Sequence, residues 1–377
     1  MEAYKGILLD SNQNNKSKDS NWIITIVLIV LALITWILTI LAPDNPQLVE
    51  RLYSSTIYPY IGKSIGFISN IVPFSIAEVI LIMLVLLAII LVVLILLKPR
   101  FFLSNIKYIL HLLVRMLAIL YILFYFSWGF NYYREDYIDL ANMNKAPGTI
   151  EDLENLSIEI INNLNNTRIN LTEDNLGVFI IEDSFQELSR QTQKGFENYM
   201  VGTLNLDENY GKAKPVLLSK LMSYTGIMGI YFPYTSEANI NADIPYHELL
   251  ATIGHEMAHQ RGFAKEEEAN FIAYKASINN PDIKFQYSGY YLAMRYLMNE
   301  IYEVDKDVYN SLYSRLSDAV KRDMNFGRDY WKSKEGKTEE VVSNMNDNYL
   351  KANNQIQGVR SYNLVVKLLL AEYKDKK

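Results

Sequence analysis

Three long apolar runs in the first third of the chain constrain its fold more than any other feature. Trp22 to Ala42 is an uncharged stretch of 21 residues, long enough to cross a ~30 Å hydrocarbon core as a helix. Ser75 to Leu97 is a second run, and its only charge is Glu78, close to one end. The third, Tyr108 to Phe130, carries His111 and Arg115 in its first third, where Arg115 can extend toward the near interface. Tyr125, Phe126, Trp128, Tyr132 and Tyr133 cluster where this run ends and fit an interfacial aromatic belt. Buried helices of a soluble core do not combine such length with such poverty of charge. The first run is too long for a removable signal and lacks a small-residue cleavage site, so it reads as an uncleaved signal anchor.

Orientation follows from the cations of the short connections. The N-terminal tail has Lys5, Lys16 and Lys18, and the connection after the second run has Lys98, Arg100 and Lys107. The longer connection after the first run has only Arg51 and Lys63. The expected division is therefore a cytoplasmic tail (1–21), an anchor of three transmembrane helices (22–130, with spans 22–42, 75–97 and 108–130) and an extracytoplasmic domain (131–377). The bilayer is then an obligatory partner. A net charge of −6 with no basic stripe argues against nucleic acid. The absence of cysteine removes disulfides, thiolate metal ligands and thiol nucleophiles together.

The fold class expected of the remainder is α+β and mostly helical, with a small sheet. Leu153, Leu156, Ile160 and Leu164 recur at helical spacing. Val178 to Ile181 reads as a short strand, Asp183 to Tyr199 as a helix, and Thr203 to Lys214 as a loop. Gly226 to Phe232 and Glu237 to Asn241 read as short extended segments, and everything beyond Pro245 as helical.

Chemistry concentrates in the segment Ile244 to Gly262. Asp243 is a candidate N-cap, Pro245 suits the first helical turn, and Gly262 suits the left-handed position that ends a helix. His255 and His259, four apart on that helix, project from one face and can grip one tetrahedral zinc ion. Glu256 lies beside the first ligand, within reach of a water but angled away from ligation. This is the HExxH arrangement, in which that Glu is the general base. Two imidazoles leave a catalytic zinc short of a third protein ligand. After Gly262 the chain offers Glu266, Glu267 and Glu268 at the start of a second helix, which a reversal at the glycine would bring back toward the metal.

The segment His255 to Phe271 resembles the gluzincins, in which HExxH is followed by Glu-x-x-Ala-Asn/Asp on the next helix. The resemblance implies Glu266 as third ligand, with Glu268 second and Glu267 pointing away; the seven-residue gap from His259 is short for that group. Together with Trp128–Arg134, Tyr231–Asn241 and Tyr349–Tyr362, the segment also resembles an uncharacterised bacterial membrane family, domain of unknown function 3810, a predicted zincin, over most of the chain.

The expected activity is zinc-dependent hydrolysis of peptide bonds in a peptide, protein or cell-wall peptide. Glu237 to Asn241 is placed to be the edge strand that pairs with substrate, with Asn239 and Asn241 as contacts. Tyr287, Tyr290, Tyr291 and Tyr362 are candidates to stabilise an oxyanion, Asn270 to orient a ligand histidine, and His247 to cap or pack. The competing reading is a non-enzymatic receptor or scaffold holding structural zinc. An intramembrane protease is opposed by the distance of the motif from the last apolar run.

Overall fold

In the computed structural model the described residues are 2–358 and 364–377, with side chains from residue 22 onward. The α-helices of eight or more residues are numbered in chain order, beginning with α1 (Glu2–Leu41), α2 (Tyr58–Ser69), α3 (Ile76–Leu97) and α4 (Ile106–Ser127). The stretches Trp22–Asp44, Ile76–Leu97 and Ile106–Ser127 are long and apolar enough to cross a membrane. Ser75 caps α3 by accepting from the Glu78 N–H at 2.9 Å. The third span stops at Ser127, short of the expected Phe130, because the chain turns at Trp128 into a 3₁₀ turn, Gly129–Tyr133. A Cβ at Gly129 would lie 2.7 Å from the Phe124 ring, so this reversal needs a glycine. Two polar residues of α4 meet the start of the first apolar stretch. Arg115 Nε donates to Thr25 Oγ1 at 2.7 Å, and the His111 ring meets Trp22 edge-on at 4.3 Å.

The expected aromatic belt is an internal cluster. Tyr125, Trp128, Tyr132 and Tyr133 are buried with Tyr53, Tyr58, Phe130, Tyr210 and Tyr231, which leaves Phe126 exposed. They are covered by the connection between the first two spans, a π-helical stretch (Glu50–Ile57) running into α2. That connection belongs to the C-terminal domain by contact. Arg134 donates to both Glu50 oxygens at 3.0 and 2.9 Å, and Tyr58 Oη donates to the Gln260 carbonyl at 2.6 Å.

The domain continues with α5 (Ile150–Arg168), α6 (Phe185–Thr192), α7 (Tyr246–Gln260), α8 (Glu266–Asn279), α9 (Ile283–Val304), α10 (Lys306–Arg315), α11 (Asp318–Lys332), α12 (Lys337–Ala352) and α13 (Val365–Asp375). A Thr149–Asp152 capping box starts α5. Leu153, Leu156, Ile160, Ile161 and Leu164 then face one large core shared with α7, α8, α9 and α13. The expected strand at 178–181 does not form; only an isolated bridge joins Glu173 and Phe179. The Phe179 N–H is taken by the buried carboxylate of Asp323 at 2.9 Å, which also receives Arg168 and the Tyr287 hydroxyl. The helix expected through Tyr199 ends as α6 at Thr192, followed by a 3₁₀ turn, Gln193–Phe196.

Among the described residues five short strands complete the fold: β1 (Met200–Val201), β2 (Leu204–Asn205), β3 (Lys214–Pro215), β4 (Gly229–Phe232) and β5 (Glu237–Ile240). The first two form a hairpin. The other three form a sheet in the order β3-β5-β4, with β3 parallel and β4 antiparallel to β5. The segment expected at the edge is thus the central strand, fully buried. Among the described residues the free edge beside α7 is β4.

Candidate metal centre

Helix α7 starts one residue later than expected. Pro245 occupies the cap position in extended backbone, and Asp243 instead accepts from the Tyr330 hydroxyl at 2.9 Å. The helix ends at Gln260, one residue short of the expected Arg261, and Gly262 takes the expected left-handed position with φ +83°. A Cβ there would also lie 2.7 Å from the Tyr58 ring, so both the left-handed turn and the close approach call for glycine. This turn folds α8 back along α7 and brings His255, His259 and Glu266 together. Their ligand atoms all lie within 4.8 Å of one another.

Glu266 Oε2 lies 3.1 Å from His255 Nε2 and 3.5 Å from His259 Nε2, yet no hydrogen bond satisfies this buried oxygen. Two ligands at tetrahedral angles on a zinc ion are about 3.3 Å apart, given bonds of about 2.05 Å. The donor set fits such an ion. The far side of each ring is held as well. His255 Nδ1 donates to Asn270 Oδ1 at 2.9 Å, and His259 Nδ1 to the Phe263 carbonyl at 2.7 Å. Asn270 is itself oriented by donating to Tyr296 Oη at 3.1 Å. With Nδ1 so engaged, Nε2 is the atom each ring turns toward the cluster, offering a lone pair when the ring is neutral. Burial alone would lower the His259 pKa, but the neighbouring Glu266 carboxylate outweighs it and raises it to about 9. Burial likewise works against ionised Glu266, and the two imidazoles outweigh it, holding its carboxyl well below the usual range.

The remaining acidic residues separate by environment. Glu268 accepts the Tyr137 N–H at 2.7 Å, away from the cluster. Glu267 stays outside it, pushed up to about 7 first by burial and then by Glu268. Glu256 is buried beside the imidazoles, and its Oε2 has no hydrogen-bond partner. Burial raises its pKa, against the pull of both histidines and a hydrogen bond from the Tyr231 backbone. Strand β4 passes directly over it: a Cβ at Gly229 would lie 2.5 Å from Glu256 Oε1.

Several other expected site residues lie elsewhere. Asn239 donates within its own hairpin, to the Ile230 and Glu237 carbonyls, and Asn241 donates to Ser223 and the Ile227 carbonyl. Tyr287 is tied to Asp323, Tyr291 packs on His247, and Tyr290 lies against Tyr274. Tyr362 lies outside the described residues. His247 is a packing residue, its ring 4.4 Å from Tyr291. Tyr349, absent from those candidates, is 42 % exposed overall but carries its hydroxyl inward, where burial and the Glu266 charge push its pKa up to about 12. It accepts from the Tyr132 hydroxyl at 3.3 Å, so its own proton is directed elsewhere.

Fold and site together define a mainly helical protein with, among the described residues, three helices long and apolar enough to span a membrane and a largely buried His–His–Glu cluster. Within that class the chain belongs to the family described as Protein of unknown function (DUF3810), whose model matches residues 53–370. No curated protein and no solved structure gives a significant match.

Proposed function

We propose that this chain is a membrane-anchored zinc metallopeptidase with a zincin-like, extracytoplasmic domain. His255, His259 and Glu266 hold the metal, and Glu256 is the general base. The observation that carries the reading is the unpartnered Glu266 oxygen set at ligand spacing from two imidazole nitrogens whose other nitrogens are already engaged. Zinc, when bound, supplies a Lewis acid that acidifies water and polarises a carbonyl. Glu256 takes the proton of the attacking water and passes it to the leaving amine. The free edge of β4 offers main-chain groups to a substrate in extended conformation. Tyr349, with its proton unspent on Tyr132, donates to the developing oxyanion.

The rival reading, a non-enzymatic zinc-binding receptor or scaffold, is disfavoured by the ligand count. Structural zinc sites are closed by four side chains, whereas the cluster has three and Glu256 beside it would have no task. The test is metal analysis and hydrolysis of a fluorogenic peptide library by the full chain, with His259→Ala and Glu256→Gln alongside. One zinc per chain is expected in wild type and Glu256→Gln and none in His259→Ala, with hydrolysis by wild type only. A wild type without metal, or a fully active Glu256→Gln, overturns the reading.

A further inference from the structure

The entrance to the second span is built from two segments distant in sequence. Glu78, in the first turn of α3, accepts the backbone N–H groups of Leu217 and Leu218, both at 2.8 Å. Glu237, at the start of β5, accepts those of Ile76 and Ala77 at 3.0 and 2.8 Å, and Lys214 neutralises it from 2.6 Å. These bonds fix the backbone of 214–218 and β5 to the helix where it begins. The side chains at this junction face outward. Ile71 and Leu217 are 74 % and 73 % exposed, Leu221 61 %, Leu218 45 % and Phe74 42 %. Large apolar groups held outward by a rigid backbone mark an interaction surface. It adjoins α3, whose side chains are exposed all round from Leu81 onward, one turn past Glu78. At the third span, the turn between β4 and β5 also reaches down: the Tyr234 hydroxyl donates to the Leu120 carbonyl at 3.0 Å. Leu120 precedes the end of α4 by seven residues, about 10 Å along the helix.

We propose that the underside of the domain, formed by Ile71, Phe74, Leu217, Leu218 and Leu221, is seated in the interfacial layer of the bilayer. The occupant of this face is lipid, because the patch continues the surface of a span and begins at that span's first turn. The seat rests on the membrane spans and not on the metal. It sets the height of the cluster, since β4 then runs from Gly229, over Glu256, to Phe232 beside the lipid.

The chain has no cysteine, so single-cysteine variants carry one label each. Leu217→Cys, Leu221→Cys and Ile71→Cys are labelled with the environment-sensitive fluorophore NBD in the full chain. The protein is reconstituted in vesicles of phosphatidylcholine and phosphatidylglycerol, with Leu86→Cys in the middle of α3 as the immersed reference and Leu176→Cys as the aqueous one. Blue-shifted emission quenched by lipids carrying a nitroxide near the headgroup is expected at the three seat positions. Water-like, unquenched emission there, with Leu86→Cys quenched, overturns the seat. A blue shift that nitroxide lipids do not quench also overturns it, because the cover would then be protein.

Discussion

The Trp128 indole N–H donates to the carbonyl of His259 at 3.0 Å, so the first residue beyond the third span touches the backbone of a candidate metal ligand. The Trp128 ring also meets the His259 imidazole edge-on, with centroids 6.0 Å apart. Arg134, a few residues on, donates to the Gly262 carbonyl at 2.8 Å. Tyr58, from the connection between the first two spans, holds the Gln260 carbonyl. The last turn of α7 and the residue that ends it are therefore gripped by side chains that flank the apolar helices. The position of the cluster relative to the spans is a property of this packing, not of a linker.

Asn270→Ala removes the acceptor that fixes the His255 ring while leaving all three proposed ligands in place. Loss of such a partner weakens metal binding about 10- to 100-fold. Competition with a zinc chelator measures it, and the far-ultraviolet circular dichroism of the variant should match wild type. An unchanged affinity would mean that the Asn270 contact does not orient the ring.

Gly229→Ala puts a methyl group where Glu256 Oε1 now lies, 2.5 Å from the Cβ position. The carboxylate or the strand must shift. The expected outcome is full zinc content with turnover lowered on the order of 10²-fold, the scale attached to a misplaced catalytic group. Parallel loss of zinc would show that the strand, and not the base alone, had moved.

Tyr349→Phe keeps the ring and removes the hydroxyl. If that hydroxyl donates to the oxyanion, kcat falls on the order of 10²-fold with zinc content unchanged. Turnover equal to wild type would exclude the Tyr349 hydroxyl from the chemistry.

The part of this arrangement legible in the sequence is the part set by short-range periodicity. A spacing of four places His255 and His259 on one face of α7, a glycine marks its end, and an acidic first turn follows within reach of the reversal. The apolar runs announce the three long helices in the same way. What could not be read depends on partners far away in the chain. Trp128, Tyr132 and Tyr133 look like a belt at the end of a span until Tyr53 and Tyr58 are seen to cover them. Glu237–Ile240 looks like an edge until Lys214 and Pro215 pair beside it. The Phe179 segment has strand composition, but Asp323 claims its backbone. Tyr349 is one tyrosine among 28, and only the Glu266 charge acting on its hydroxyl singles it out.

Arg134 and Glu50 form a buried pair, with side-chain exposures of 0 % and 8 %, that joins the inter-span connection to the domain. Glu50→Leu strands the guanidinium, which keeps the Gly262 carbonyl as acceptor, and should cost about 3–5 kcal/mol. Glu50→Leu with Arg134→Met removes both charges and should recover most of that loss. Thermal unfolding of the three proteins in detergent decides it. A single variant as stable as wild type would show that the pair contributes little.

His247 gives the stability of the domain a pH dependence of predictable sign. Burial depresses its pKa to about 4, against an opposing pull from Glu248 and with Arg295 and Arg168 adding to the depression. Neither ring nitrogen has a hydrogen-bond partner, so the native state holds the ring neutral among Tyr291 and the backbone of Gly327. In the unfolded chain the same group titrates near 6.5. Between those values the unfolded state binds a proton that the native state refuses, so stability falls as the pH drops from about 6.5 to about 4. Above that window the contribution is fully present, and below it no further loss comes from this residue. The difference amounts to roughly 3 kcal/mol. Denaturant unfolding of wild type and His247→Phe across this range measures it. The slope should be shallower in the variant whatever its absolute stability, and identical slopes would show that His247 takes no part in the acid sensitivity.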